Sequence, residues 1–135
     1  MATTSSTWTF SSCCRLVSCG IDAERVGRFR QWSKDGSAFL PFVFTKKERS
    51  RCRRLPDPAA GLCAAFCVKE ALYKAIGRPY NFTDCEFLPG RGNTAGSFAV
   101  SPRLARDLRG AVPVARILRP VRGHLTAVVY LLGIV

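Results

Sequence analysis

The sequence predicts an α+β domain in which a small antiparallel sheet packs on one long helix. Three observations carry that expectation: a helical stretch with marked ends at Asp57 and Gly77, a strand-like run ahead of it, and a second half of short apolar runs separated by turn residues. A chain of 135 residues with 47% hydrophobic content is the size of one domain and is long enough to bury a core. Residues 1–12, rich in Ser and Thr, read as a flexible lead-in, which leaves 13–135 as the domain.

In chain order, residues 16–21 suit a strand. If it continues through Cys19-Gly20-Ile21-Asp22-Ala23-Glu24, then Asp22 and Glu24 point to one side. Residues 25–32 read as a short helix with Arg25 and Arg28 outward and Phe29 and Trp32 inward, and residues 33–37 as a turn. After the apolar stretch 39–44 around Pro41, Thr45 caps a helix from Lys46, with Glu48 at the capping-box position. The long helix is then expected over Pro58–Ile76. Asp57 caps its free N–H groups, Pro58 fits the first helical position, and Gly77 supplies the left-handed stop. Leu62, Phe66, Tyr73 and Ile76 form its buried stripe. Residues 82–88 and 97–100 read as a hairpin across a turn at 89–93. Ser101-Pro102 opens a short helix at 103–108, ended by Gly110, and strands at 115–121 and 125–132 follow, joined by Arg122-Gly123-His124.

The charge narrows the function classes. A net charge of +12 implies a polyanionic partner: nucleic acid, an acidic protein surface or a phosphorylated cofactor. No run approaches the roughly 18 to 20 apolar residues of a membrane span, and no basic-then-apolar leader marks secretion. The seven cysteines are an odd number without paired CxxC spacing, which argues against zinc and against a disulfide framework and for reduced thiols in the cytoplasm.

Two clusters carry candidate chemistry. On the long helix, Lys69, Glu70 and Lys74 surround one carboxylate with cations; Glu70 and Lys74, one turn apart, also have the spacing of an ordinary exposed ion pair. On the first strand, Asp22 and Glu24 are half of a hard-cation site, which one glutamate from a facing helix would complete as an oxygen set suited to Mg2+; equally, two such acids can form a solvated strand edge. The basic run Arg49-Ser50-Arg51-Cys52-Arg53-Arg54 can capture phosphate through arginine forks or serve as a charged helix face.

Gly20-Ile21-Asp22-Ala23-Glu24, Arg28-Phe29, Phe44-Thr45-Lys46-Lys47-Glu48, Pro58-Ala59 and the motif from Phe66-Cys67-Val68-Lys69-Glu70-Ala71-Leu72-Tyr73-Lys74 to Gly77 together resemble the 4'-phosphopantetheinyl transferase family, in the family's order. The resemblance implies that family's fold. It also implies transfer of the phosphopantetheine arm of coenzyme A to a serine of an apo acyl, polyketide or peptidyl carrier protein, with release of adenosine 3',5'-bisphosphate. On this resemblance Asp22, Glu24 and Glu70 hold Mg2+, with Mn2+ an alternative, and Asp22, Glu70 and Lys74 are catalytic. Lys69, Lys74, Arg53, Arg54, Gly77 and His124 bind coenzyme A, and Arg25 and Arg28 meet the acidic carrier. At His124 the sequence departs from the small type of the family: Gly123 stands where a serine is usual and the following spacer is short, so a turn histidine without catalytic duty is also a reading. Glu24 after Asp22 is the pattern of the larger, surfactin-synthetase-activating type, whereas the length suits the small holo-acyl-carrier-protein synthase type, which assembles as a trimer. Because the small type places its sites between subunits and one chain of 135 residues is too small to enclose both sides of coenzyme A, the resemblance implies a homo-oligomer, a trimer favoured; the mixed pattern also suits the transferase domain of a fatty acid or polyketide synthase. The rival classes are a small basic nucleic-acid-binding module and a catalytically dead structural subunit of a synthase.

Overall fold

A computed structural model describes residues 14–35, 38–91, 96–119 and 121–134. The expected lead-in, 1–12, lies outside them, as do residues 36–37 and 92–93 of the two expected turns. The described chain runs β1 (Cys14–Arg25), a 3-10 turn (Val26–Phe29), α1 (Arg30–Asp35), α2 (Leu40–Val43), α3 (Lys46–Arg53), α4 (Pro58–Ile76), a second 3-10 turn (Phe82–Asp84), β2 (Cys85–Leu88), β3 (Ser97–Val100), α5 (Pro102–Asp107), β4 (Val112–Leu118) and β5 (His124–Ile134). The class is α+β, with the long helix packed on an antiparallel sheet of order β1-β5-β4, and β2 and β3 pair as a separate hairpin sheet.

The ends of α4 follow local chemistry. The Asp57 carboxylate accepts from the Ala60 N–H at 3.3 Å, and Gly77, at φ 81°, donates its N–H to the Tyr73 carbonyl at 2.9 Å. Its burial differs from the expected stripe. Every residue from Gly61 to Lys69 is buried, because the sheet covers one side of the helix and α1, α3 and β2 cover the others. Tyr73, beyond that cover, is 37% exposed.

Other boundaries move for identifiable reasons. Arg25 stays in β1 rather than opening a helix, because β1 pairs with β5 as far as Arg25 opposite His124. The Asn81 side chain accepts from both the backbone and the hydroxyl of Thr83 and winds a 3-10 turn, so β2 begins only at Cys85. Positive φ at Arg109 and Gly110 completes the reversal after α5, which lets β4 start at Val112.

Gly20 fixes how α4 lies on β1. A Cβ there would run into the Ala71 carbonyl and stand 2.7 Å from the Ala75 nitrogen, both main-chain atoms that cannot swing aside. Beside it the Ser18 hydroxyl donates to the Ala75 carbonyl at 2.7 Å. The alternation of β1 then turns Ser18, Gly20, Asp22 and Glu24 toward α4 and leaves Cys19, Ile21, Ala23 and Arg25 on the outer face.

Candidate active site

The two predicted clusters meet where α4 crosses β1. Lys74 Nζ lies 3.1 Å from Asp22 Oδ1 and donates to the Ile21 carbonyl at 3.0 Å. Glu24, also facing the helix, accepts from Arg28 at 2.9 Å, and the Arg28 guanidinium lies over the Phe66 ring, 5.5 Å from its centroid. Asp22 is 11% exposed, and its second oxygen, Oδ2, is buried without a hydrogen-bond partner. A buried carboxylate oxygen with no donor can accept a cation or a proton. The donor set here is all oxygen and suits a hard cation. Among the described residues, however, no three acid, thiol or imidazole side chains already converge as a cage, so water and substrate oxygens would complete any shell.

The structure separates the two lysines of the helix motif. Lys69, expected among the coenzyme-binding residues, is fully buried, which removes it from any direct contact with coenzyme. Its Nζ lies 3.0 Å from Glu48 Oε1 and donates to the Phe82 carbonyl at 2.7 Å and to the Cys85 carbonyl. Glu48 accepts in addition from the N–H groups of Thr45 and Phe87. Burial raises the Glu48 carboxyl above its ordinary range, while Lys69 and those two N–H groups pull it back. In the sequence Glu48 reads as a capping residue and as part of the Phe44-Thr45-Lys46-Lys47-Glu48 segment of the resemblance, without a link to Lys69. The available signal was its second carboxylate oxygen, which a capping box leaves unused.

The remaining predicted residues fall in three places. Arg25, Arg28 and His124 line one open pocket with Glu24, at the end of β1. The exposed His124 ring has its Nδ1 3.3 Å from the Arg122 carbonyl. Gly77 is the stop of α4. Arg53, at the end of α3, lines a different pocket with Trp32, Arg49 and Leu62. Arg53 and Arg54 adjoin the start of α4, whereas Lys74 is near its end, a separation of about 25 Å at 1.5 Å per residue. The structure therefore does not bring Arg53 or Arg54 to the Asp22–Lys74 site of the same chain.

A model of the 4'-phosphopantetheinyl transferase superfamily matches residues 18–115. The chain belongs to that superfamily. Among curated relatives, the holo-acyl-carrier-protein synthase of Chlorobaculum tepidum is 37% identical over 59 residues, 43% of this chain and 50% of that protein. The synthase of Syntrophotalea carbinolica is 41% identical over 63 residues, 46% of this chain and 49% of that protein. The chain thus spans about half the length of the curated relatives it matches. Among solved structures, the synthase of Neisseria meningitidis superposes with a TM-score of 0.71 at 22% identity, over 87% of this chain and 98% of that one. The Helicobacter pylori synthase in complex with coenzyme A gives 0.68 at 22% identity, over 84% and 98%. At that identity the likeness is one of fold.

Within this superfamily member, Glu70 is electrostatically tied to both acids of β1. Burial raises its carboxyl above the ordinary 4.5; the Asp22 charge adds to the rise, Lys74 opposes it, Glu24 adds to it and Arg28 opposes it. Because the folded-state value is the higher one, folding favours the protonated form. The stability linked to Glu70 is complete below its unfolded value and is lost as pH rises through the folded value. In metal-free protein the Glu70 carboxyl, followed by carbon-13 NMR, should titrate above 4.5, and Asp22→Asn should lower the midpoint. A wild-type midpoint at or below 4.5 would show that the three carboxylates do not share a field.

Proposed function

We propose that the chain transfers the 4'-phosphopantetheine arm of coenzyme A to a serine of an apo acyl, polyketide or peptidyl carrier protein, releasing adenosine 3',5'-bisphosphate. The observation that carries this reading is the convergence of Asp22, with its orphaned oxygen, and Lys74 beside the raised carboxyl of Glu70. The serine oxygen forms a bond to the phosphorus that bears pantetheine, and the bridging P–O bond breaks toward the adenosine side. Glu70 takes the serine proton, a role that the upward shift of its carboxyl by burial and the Asp22 charge suits. Lys74 Nζ, half exposed and only one helical turn away, neutralises charge on the departing phosphate. Asp22, Glu24 and Glu70 would hold Mg2+, or Mn2+, whose chemistry when bound is Lewis-acid neutralisation of pyrophosphate oxygens. Lys69 serves as a positioning residue: its buried pair with Glu48 holds the rotation of α4 and so the aim of Glu70.

Arg25, Arg28 and His124 form a basic rim next to Glu24, and a carrier with an acidic surface fits it. In this reading the carrier serine arrives from the rim side, over Glu24. Free thiols at all six described cysteines fit a reducing, cytoplasmic setting; Cys13 lies outside the described residues. No helix among the described residues is long and apolar enough to cross a membrane. A nucleic-acid module accounts for the positive charge but not for two acids aimed at Lys74 and Glu70, which would repel phosphates.

The outer face of the β1-β5-β4 sheet supports a homo-oligomer, with a trimer as the assembly expected of the small type. Leu16, Ile21, Val112, Val114 and Leu118 lie on it at 40% exposure or more, around the exposed Arg116. A second copy of this chain is its proposed cover. Sedimentation equilibrium should give a multiple of 14.8 kDa, and Val114→Lys should shift the mass toward one chain; a wild-type monomer would remove this part of the proposal.

The transferase reading is tested by the intact mass of an apo acyl carrier protein after incubation with the chain, coenzyme A and Mg2+. The expected result is a gain of one phosphopantetheine, abolished by EDTA and reduced at least about a hundredfold in rate by Glu70→Gln, the usual scale for a general base. No gain across fatty acid, polyketide and peptidyl carriers would favour the dead-subunit reading. Magnesium-independent, salt-sensitive RNA binding would favour the nucleic-acid one.

A further inference from the structure

A pocket of about 300 Å3 lies where α1, α2, α3 and the start of α4 meet, at the other end of the long helix from Lys74. Its inner wall is apolar, with Leu40, Cys52 and Leu62 buried and Trp32 completing it. The Trp32 ring is held edge-on by Phe29, at 5.1 Å between centroids, and by Phe44 and Phe66, each at 6.3 Å. That packing forms the wall before anything enters.

The charge around the pocket is of one sign. Lys34, Arg49 and Arg53 line it, and no described acidic side chain does. None of the three forms an ion pair with a described residue. Two acids close in sequence are engaged elsewhere: Glu48 with Lys69, and Asp57 with the Ala60 N–H and with Arg30 at 3.6 Å. Arg49 Nε is buried and has no hydrogen-bond acceptor, whereas Lys34 and Arg53 are exposed. A buried N–H without an acceptor carries a desolvation cost that the acceptor of a ligand recovers. Cys52 is no competing anion, because burial and the Glu48 charge push its thiol up to about 12, against the opposing charge of Arg51.

We propose that this pocket binds a monocarboxylate carried on a short apolar body. The carboxylate accepts from the Nε–H edge of Arg49, whose planar fork matches it; Lys34 and Arg53 add counter-charge, and the body lies against Trp32, Leu40 and Leu62. One buried donor edge matches a monoanion. A phosphate dianion would bring more charge and more acceptors into the interior than one guanidinium satisfies. The volume, at the lower end of small-molecule sites, suits a small acid. This binding does not rest on the transferase reading, and failure of the chain to modify any carrier would leave it intact.

The test is titration of octanoate, octanamide and octyl phosphate, one body with three heads, into the full chain. Binding is read in proton–nitrogen NMR spectra at the Arg49 Nε–H and the Trp32 indole N–H, with coenzyme A added afterwards as a competitor. The expected result is a saturable shift of both signals with octanoate, a Kd about tenfold or more higher for octanamide, and no tighter binding of octyl phosphate. In Arg49→Leu the Trp32 signal should report a similar tenfold loss for octanoate, and the melting temperature of the variant checks that its fold is kept. The comparison of heads needs wild type alone, so it stands whatever that variant does. Absence of saturable shifts at both signals, equal binding of octanamide, tighter binding of octyl phosphate, or displacement of octanoate by coenzyme A overturns the proposal.

Discussion

The close seating of α4 on β1 at Gly20 is the constraint on which the candidate site depends. Main chain meets main chain there, so the distance between strand and helix is not adjustable by side-chain rearrangement. That contact brings Lys74 Nζ within 3.1 Å of Asp22 Oδ1 and within reach of the Ile21 carbonyl. A wider separation would leave an isolated acid on the strand and an isolated ion pair on the helix, the two ordinary alternatives that the residue spacing permits.

Depth is set at Gly20, and rotation is set on the far side of the helix. At 100° per residue, Glu70 and Lys74 are about 40° apart around α4, whereas Lys69 and Lys74 are about 140° apart. One motif therefore sends Glu70 and Lys74 toward β1 and Lys69 into the interior, where Glu48 and two carbonyls take its charge. The Tyr80 hydroxyl donates to the Lys69 carbonyl and ties the same turn to the following loop. Breaking a buried pair of this kind by removing one partner costs about 3–5 kcal/mol, far more than an exposed surface pair such as Arg103–Asp84 contributes. The pair is thus a rigid reference for the site although it touches no substrate.

Much of this was legible in the sequence. Capping signals at Asp57, Pro58 and Gly77 are local, and they placed α4 at both ends. Alternation along Gly20-Ile21-Asp22-Ala23-Glu24 put both acids on one side because a strand has a period of two. What was not legible depended on distant partners. The burial of Lys69 requires Glu48, Phe82 and Cys85 to arrive from other elements, and a helix covered on several sides has no single stripe to read. The start of β4 rests on positive φ at Arg109, a residue type that does not announce it. The place of Arg53 and Arg54 is not legible for another reason: nearness in sequence to a helix says nothing about which end of its 19 residues the chemistry occupies.

The proposed chemistry lies at one crossing, between β1 and the last turns of α4, and not along the arginine-rich α3. Paramagnetic broadening of backbone amide signals by substoichiometric Mn2+ measures that directly. Selective loss is expected for the signals of Asp22, Glu24, Glu70 and their immediate neighbours, with Arg53 and Arg54, beside the start of α4 and about 18 Å along the helix from Glu70, retained. Broadening centred on any other part of the chain, or spread evenly over it, would contradict the account.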